Sequence, residues 1–319
     1  MQAGGTDPAG AFVGASEASR EVRRRIRAFA SVAAPVLVTG ATGTGKDVVA
    51  RALHAAGPRA AAPFVPVNCA ALPEALLEGE LFGAARGAYT GADRDRDGLI
   101  VAAAGGTLFL DEVGELPPAG QAKLLRFLDA GAVRPLGAAR ERRVETRVVT
   151  ATHRDLVAEA RTGGFREDLL FRLDVLRIHV PPLCERPDDV VALARHFAAR
   201  LAGDAGTIHL APEALRDLAR RRWPGNAREL AAALARAVVE QGSTLRRLRE
   251  AEDGASPAGG HADPTARLAA MLVRHRGDLH AVASQLGVSV RTVQRRLVRS
   301  GLRAAAYRPA TDAVSARRG

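Results

Sequence analysis

Residues 40–47 read GATGTGKD, directly after the apolar run Pro35-Val36-Leu37-Val38, and residues 107–112 read TLFLDE. The first stretch has the spacing Gly40-x-x-x-x-Gly45-Lys46 of a phosphate-binding loop. Its glycines, Gly40, Gly43 and Gly45, let the backbone curl so that N–H groups point at phosphate. Thr42 and Thr44 lie between them, and Lys46 supplies a mobile positive charge. The second stretch is an apolar strand ending in two carboxylates. Asp111 suits a Mg²⁺ ion held through water, and Glu112 suits an attacking water that must be oriented or deprotonated. Together they spell a nucleotide-hydrolysis site that uses Mg²⁺. The position after the lysine departs from the usual Ser or Thr: it is Asp47, followed by Val48. Asp47 either reaches the metal through water or favours a helix N-terminus by its charge, and the second reading is preferred.

These residues need a scaffold. Candidate strands are Val36–Thr39, Phe64–Val67, Thr107–Leu110, Arg147–Ala151 and Arg177–Val180, and helical stretches such as Gln121–Ala130 fall between them. In that helix Leu124, Leu125 and Leu128 repeat at helical spacing. Alternation of this kind predicts an α/β fold with a mostly parallel sheet and helices on both faces, over residues 12–181. Residues 182–242 carry only helical patterns, Asp188–Leu201, Pro212–Arg222 and Asn226–Val239, with Pro212 and Asn226 as helix-start residues. Residues 243–264 are expected to form a linker; EDGASPAGGHADP at 252–264 is rich in Gly, Ala and Pro.

The chain has 319 residues and a net charge of +11. Residues 265–319 hold eleven arginines against Asp278 and Asp312, a net +9, so the basic character is mostly a property of this end. Arginine-rich composition explains Arg over Lys, since only Lys46 and Lys123 are lysines, but not the local scarcity of acids. A concentrated basic segment points to nucleic acid. Within 265–302, Gly287 breaks two short helices and Ser289 can cap the second. Arg291, Thr292, Gln294, Arg295 and Arg296 then lie on its exposed side, the arrangement of a helix-turn-helix reading double-stranded DNA. Residues 303–319 are expected to be a disordered tail. Cys69 and Cys184 are too few and too far apart for a disulfide framework or a zinc site, and fit a reducing cytoplasm. Cys69 is expected to be a buried apolar residue. No apolar run is long enough for a membrane span, and no signal peptide is read at the N-terminus.

Residues 12–240 resemble the AAA+ domain of sigma-54-dependent bacterial transcription activators. The most specific element is ELFGAARGAYTGA at 80–92. Where the family carries its GAFTGA loop, this chain reads Gly87-Ala88-Tyr89-Thr90-Gly91-Ala92, with Tyr for Phe at the aromatic position. The resemblance implies that this loop grips sigma-54. It places Val13-Gly14 at the adenine pocket and makes Asn68, in VNCAAL, the residue that holds Glu112. It makes Arg166 and Arg172, in FREDLLFRLDV, arginines acting across a subunit interface, one of them as an arginine finger. Arg228, in WPGNAREL, becomes the sensor II arginine of the lid. His153, in ATHRDL, takes a sensor I position where the family usually has Asn. Cys184 and Ala84 also depart from the family pattern, replacing Arg and His.

The resemblance further implies a hexameric ring, a Fis-type helix-turn-helix tethered to upstream DNA, and remodelling of the sigma-54 RNA polymerase closed complex by ATP hydrolysis. The chain starts almost at the AAA+ domain, so control is expected from a separate regulatory partner, from expression level, or not at all. Two alternatives stand beside this reading: an AAA+ motor that remodels DNA, and a DNA-binding regulator with a vestigial ATPase acting with another sigma factor.

Overall fold

The computed structural model describes residues 7–88, 94–203, 207–241, 244–245 and 278–279. The chain divides into two units, Met1–Arg249 and Glu250–Gly319. Of the second, only Asp278 and Leu279 are described, so the expected helix-turn-helix and tail lie outside the described residues, as does most of the expected linker.

In the first unit five strands form one parallel sheet. Their spatial order is Phe64–Asn68, Thr107–Asp111, Arg147–Thr152, Val36–Thr39, Leu176–His179. All five expected strands are present, with ends shifted by no more than one residue. Side chains of a strand alternate between the two faces, and each face has its own apolar core. Leu108 and Leu110 join Leu37, Leu81, Phe82, Ile100, Leu124 and Leu169 on one side. Phe109 joins Val36, Val38, Val49, Leu53, Ile26 and Ile178 on the other. Burial on both faces is why these strands read as continuous apolar runs rather than as alternating ones.

Register brings the chemistry to one edge. Asn68 pairs with Asp111, and Thr39 with Thr152. The residues that follow Thr39, Asp111 and Thr152, namely Gly40, Glu112 and His153, therefore emerge together at the carboxyl ends of three neighbouring strands, where ligands bind in open α/β sheets. At the other end of the sheet Arg147 is buried. Its guanidinium donates to Phe29 O at 2.6 Å, to Ala30 O at 2.7 Å and to Leu53 O at 3.4 Å. These carbonyls lie in the last turns of the helices Glu17–Ala30 and Lys46–Ala55. A cation there complements both helix dipoles and seats both helices on the sheet.

The helices Asp189–Ala202, Pro212–Arg220 and Asn226–Gln241 form the lid around Val190, Leu193, Leu218, Trp223, Leu230 and Leu234. His209–Leu210 pairs in parallel with Thr244–Leu245, and Leu245 is fully buried in the lid core. The lid therefore reaches at least Leu245, and the boundary expected at 242 falls short. Ser243 reads as the start of a linker, but the next apolar side chain in the sequence, Leu245, completes the cluster. Among the described residues no helix is long and apolar enough to cross a membrane.

Cys69 is buried, and burial pushes its thiol up to about 12, helped by the charge of Asp111. Cys184 is exposed. A thiol reagent is expected to modify one cysteine per native chain, at Cys184, and two in denaturant. Mass mapping of the labelled peptide checks this, and rapid labelling of Cys69 in the native protein would contradict the packing described.

Candidate nucleotide site

The loop 40–45 is held open by backbone that only glycine accepts readily. Gly40, Gly43 and Gly45 have φ of 153°, 78° and 102°. A Cβ on Gly40 would lie 2.4 Å from Val180 O, and one on Gly43 2.3 Å from Gly225 O, so space forbids a side chain as firmly as torsion does. Thr44 Oγ1 donates to Ala41 O at 2.8 Å. Three successive carbonyls are taken by donors from the lid side. Thr42 O accepts from Asn226 Nδ2 at 2.9 Å, Gly43 O from Arg228 N at 3.3 Å, and Thr44 O from the Arg186 guanidinium at 2.8 Å. These donors pin the loop's backbone around the Lys46 side chain, at the start of the helix Lys46–Ala55. That is the arrangement a polyphosphate requires, so the residues present fit a nucleotide. Asp47 is exposed in the first turn of the helix that starts at Lys46, where its charge suits the N-terminus. Val48 packs against the core on that face.

Lys46 is 6% exposed. Its ammonium donates to Gly40 O at 3.0 Å and to Ala41 O at 3.4 Å, and lies 3.5 Å from Glu112 Oε1. Glu112 has φ 53°, a left-handed conformation uncommon outside glycine, which turns its carboxylate back over the strand end. Its other oxygen, Oε2, accepts from the His153 backbone N–H at 3.2 Å and lies 2.7 Å from His153 Nδ1. A carboxylate only accepts, so the ring donates through Nδ1. Burial alone would raise the Glu112 carboxyl, but the His153 hydrogen bond and the Lys46 charge outweigh it and hold it below the usual carboxylate range. Asp111 moves the other way. Burial and the neighbouring Glu112 charge raise it, against the pull of Lys46. Two adjacent carboxylates are thus set apart chemically, one easier and one harder to ionise.

Asn68 was expected to hold Glu112, and it does not. Its Oδ1 accepts from Ala70 N at 2.9 Å, closing the turn after its own strand, and the residue is exposed. His153, one strand further over, occupies that role with a longer side chain and its own backbone N–H. Asn226 begins the helix Asn226–Gln241, as expected, with φ 55° and a buried side chain. The Asn226 amide accepts from Leu183 N at 2.7 Å while donating to Thr42 O, so it ties the hinge to the phosphate loop.

Arg186 and Asp189 carry no role in the sequence reading, yet both are almost fully buried. The Arg186 guanidinium sits 5.1 Å over the Phe12 ring and 3.6 Å from Asp189 Oδ2. Asp189 accepts from Ser16 N at 2.7 Å, from Ser16 Oγ at 3.1 Å and from Ser19 Oγ. Gly14 passes so close that a Cβ would meet Ser19 Oγ at 2.4 Å and Asp189 Oδ1 at 2.7 Å. Val13 packs on the lid core, so the Val13-Gly14 strap runs between sheet and lid, beside the loop. Three acids and an arginine in PPLCERPDD were the only available signal, and a charged hinge normally reads as solvated.

Arg166 pairs with Asp168 at 2.7 Å, and Arg172 with Asp129 at 2.6 Å; neither pairs with Asp111 or Glu112 of its own chain. Arg228 stands beside Gly43 with an exposed side chain. Gly87, with φ 79°, and Ala88 begin the expected contact loop. Its base is fixed by Ala85 N to Leu136 O at 2.8 Å and Leu136 N to Gly83 O at 2.9 Å. Tyr89, Thr90, Gly91 and Ala92 lie outside the described residues. So do Ser289, Arg291, Thr292, Gln294, Arg295 and Arg296.

A parallel sheet, a glycine loop leading into a helix, and a lysine facing an Asp-Glu pair define a P-loop nucleotide-binding protein. Residues 12–179 match the family model of the sigma-54 interaction domain, and residues 184–253 match that of the AAA+ ATPase lid domain. The first match spans more than half of the chain, which therefore belongs to the sigma-54 interaction domain family. The chain is 48% identical over 230 residues to the response regulator protein PilR of Pseudomonas aeruginosa, covering 72% of this chain and 52% of that one. It is 50% identical over 230 residues to the anaerobic nitric oxide reductase transcription regulator NorR of Salmonella dublin, covering 72% and 46%. It thus spans about half the length of the curated relatives it matches. The crystal structure of NtrX from Brucella abortus in complex with ADP is similar in fold, with TM-score 0.68 and 30% identity, covering 91% of this chain and 69% of that one.

Replacing Asn226 by Ala strands Thr42 O and Leu183 N in a buried setting. Each unpaired buried group costs about 1–3 kcal/mol. Asn226→Ala is expected to lower the urea midpoint and to weaken nucleotide binding at least several-fold, read by fluorescence titration with a labelled nucleotide. Unchanged affinity would show that the loop keeps its shape without the lid.

Proposed function

We propose that this protein is an ATP-hydrolysing activator of transcription that acts on the sigma-54 RNA polymerase closed complex. One observation carries the enzymatic part. Lys46, Asp111 and Glu112 converge at the strand ends in front of a phosphate loop whose carbonyls are held away. NtrX of Brucella abortus, similar in fold, has been crystallised with both ADP and ATP. When bound, Mg²⁺-ATP supplies a phosphoanhydride whose terminal phosphoryl group can pass to water. The loop N–H groups and Lys46 bind its phosphates. Asp111 would hold Mg²⁺ together with phosphate oxygens, the usual manner for this ion. Glu112 orients water and takes its proton. The Val13-Gly14 strap borders the base, and Arg228 reaches the phosphates from the lid.

The assembly is a ring, a hexamer, in which Arg172 and Arg166 of one subunit face the nucleotide of the next. Both are held by exposed ion pairs, which release an arginine readily. The loop Gly87–Ala92 carries the stroke to sigma-54, with Tyr89 as its anchor. Residues 265–302 bind double-stranded DNA upstream and raise the local concentration of the ring. Reductive conditions and a cytoplasmic setting follow from this role.

Two expected outcomes test the reading. Glu112→Gln should keep nucleotide binding and lower turnover about 10²–10⁴-fold, the usual worth of a positioned base. Lys46→Ala should lose binding itself, and phosphate release with titration calorimetry separates the two. Normal hydrolysis in both would remove the assigned site. Tyr89→Ala should leave hydrolysis largely intact and abolish open-complex formation at a sigma-54 promoter in a purified system, with Tyr89→Phe tolerated. Normal activation by Tyr89→Ala would remove the loop assignment.

A further inference from the structure

The helix Glu17–Ala30 carries five arginines. Arg20 pairs with Glu17, Arg24 and Arg25 with Glu21, and Arg27 with Asp7. Arg23 is half-buried and spends its donors on backbone instead. Its Nη1 donates to Phe12 O at 2.9 Å and to Gly14 O at 2.8 Å. In a trans peptide the N–H points away from the carbonyl, so with Phe12 O turned to Arg23 the Val13 N–H faces the other way. Carbonyls two residues apart that share one donor imply an extended strap, which turns the Val13 carbonyl to that same far side. Among the described residues neither Val13 group has a backbone partner. A donor and an acceptor left side by side in a partly buried strap call for partners. The strap is fixed in place by its neighbours. The buried Phe12 ring lies under the Arg186 guanidinium and 3.6 Å from a Cβ placed on Gly45. Val13 packs on the lid core, and Gly14 is pressed against Ser19 and Asp189. A base carried on phosphates held at Gly45 and Lys46 therefore comes within reach of Val13.

We infer that Arg23 is a positioning residue that sets the base preference of the site: by holding Phe12 O and Gly14 O it presents the Val13 N–H and carbonyl to a 6-aminopurine. The ring nitrogen of such a base accepts from the N–H, and its amino group donates to the carbonyl. A 6-oxopurine offers the opposite pair, a ring N–H and a carbonyl, so donor meets donor and acceptor meets acceptor. A site built to hydrogen-bond one edge rejects the other because its own groups are then left unpaired. The inference rests on the nucleotide reading of the same site. Arg23 itself touches neither base nor phosphate, and acts through the strap.

The full-length protein is titrated without turnover, using fluorescently labelled ADP and GDP, and inorganic tripolyphosphate as a base-free competitor. Wild type is expected to bind ADP more tightly than GDP. Arg23→Met keeps the stem and removes the donors. It is expected to weaken ADP about tenfold, and to leave GDP and tripolyphosphate within about twofold, because a charged hydrogen bond is lost on the base side alone. Arg23→Lys, which keeps a charged donor, should retain more of the ADP preference than Arg23→Met. Variants are compared at matched thermal melts, with Arg23→Gln replacing Arg23→Met if the latter melts early. In steady-state hydrolysis the loss should fall on KM rather than on kcat. An ADP preference that survives in Arg23→Met, or an equal loss for tripolyphosphate, would overturn the clamp. So would equal binding of ADP and GDP by the wild type. Failure of the wild type to bind any of the three probes would instead remove the nucleotide reading on which the clamp rests.

Discussion

The site depends on one constraint: the carbonyls of Thr42, Gly43 and Thr44 are held from outside the phosphate loop. Asn226, the Arg228 backbone and Arg186 supply the donors, and all three belong to the hinge and lid rather than to the sheet. A glycine-rich loop has many shapes at similar energy, and ordering each of its residues costs about 1–2 kcal/mol. Bonding three carbonyls selects one of those shapes. The loop's sequence permits that shape, and the lid enforces it.

The same contacts join the parts mechanically. Arg186 touches Thr44 O, lies over Phe12 and faces Asp189, while Asp189 gathers Ser16 and Ser19. Buried charges are costly unless paired and hydrogen-bonded. This group meets that demand almost completely, with only Arg186 Nε lacking a partner. Strap, phosphate loop and first lid helix thus meet at a single buried cluster. A lid rotation relative to the sheet must pass through it, which gives the lid a direct hold on the loop that binds phosphate.

The groups at the strand ends satisfy one another. Lys46, Glu112 and His153 form a closed chain of contacts, and the arginines expected to act across subunits rest on Asp168 and Asp129. The two kinds of contact differ in strength. The arginine pairs are exposed and weak, so a competing anion displaces them easily. The Lys46–Glu112 contact is buried, where an ionic contact is screened less, and replacing it calls for a charge of the strength that a polyphosphate brings.

Much of this was legible in the sequence because it is local or periodic. The spacing Gly40 to Lys46, the apolar run into Asp111-Glu112, and the five apolar strands each fix a backbone conformation or a face, and all five strands were found within a residue of their expected ends. The family followed from short motifs for the same reason. What the sequence hid was partnership between residues far apart in the chain. Asn226 read as a helix starter because Asn favours caps, yet its amide spans from Leu183 to Thr42. Asn68 read as the holder of Glu112, but strand register and side-chain length gave that place to His153. Nothing in the sequence singled out Arg186 and Asp189, and only folding showed them buried against Phe12, Ser16 and Ser19. Leu245 read as linker until the lid core closed over it. Residue type and spacing determine which groups can bind phosphate or ionise. Which groups meet is decided by packing, since only the folded chain brings residues more than a hundred positions apart within hydrogen-bond distance.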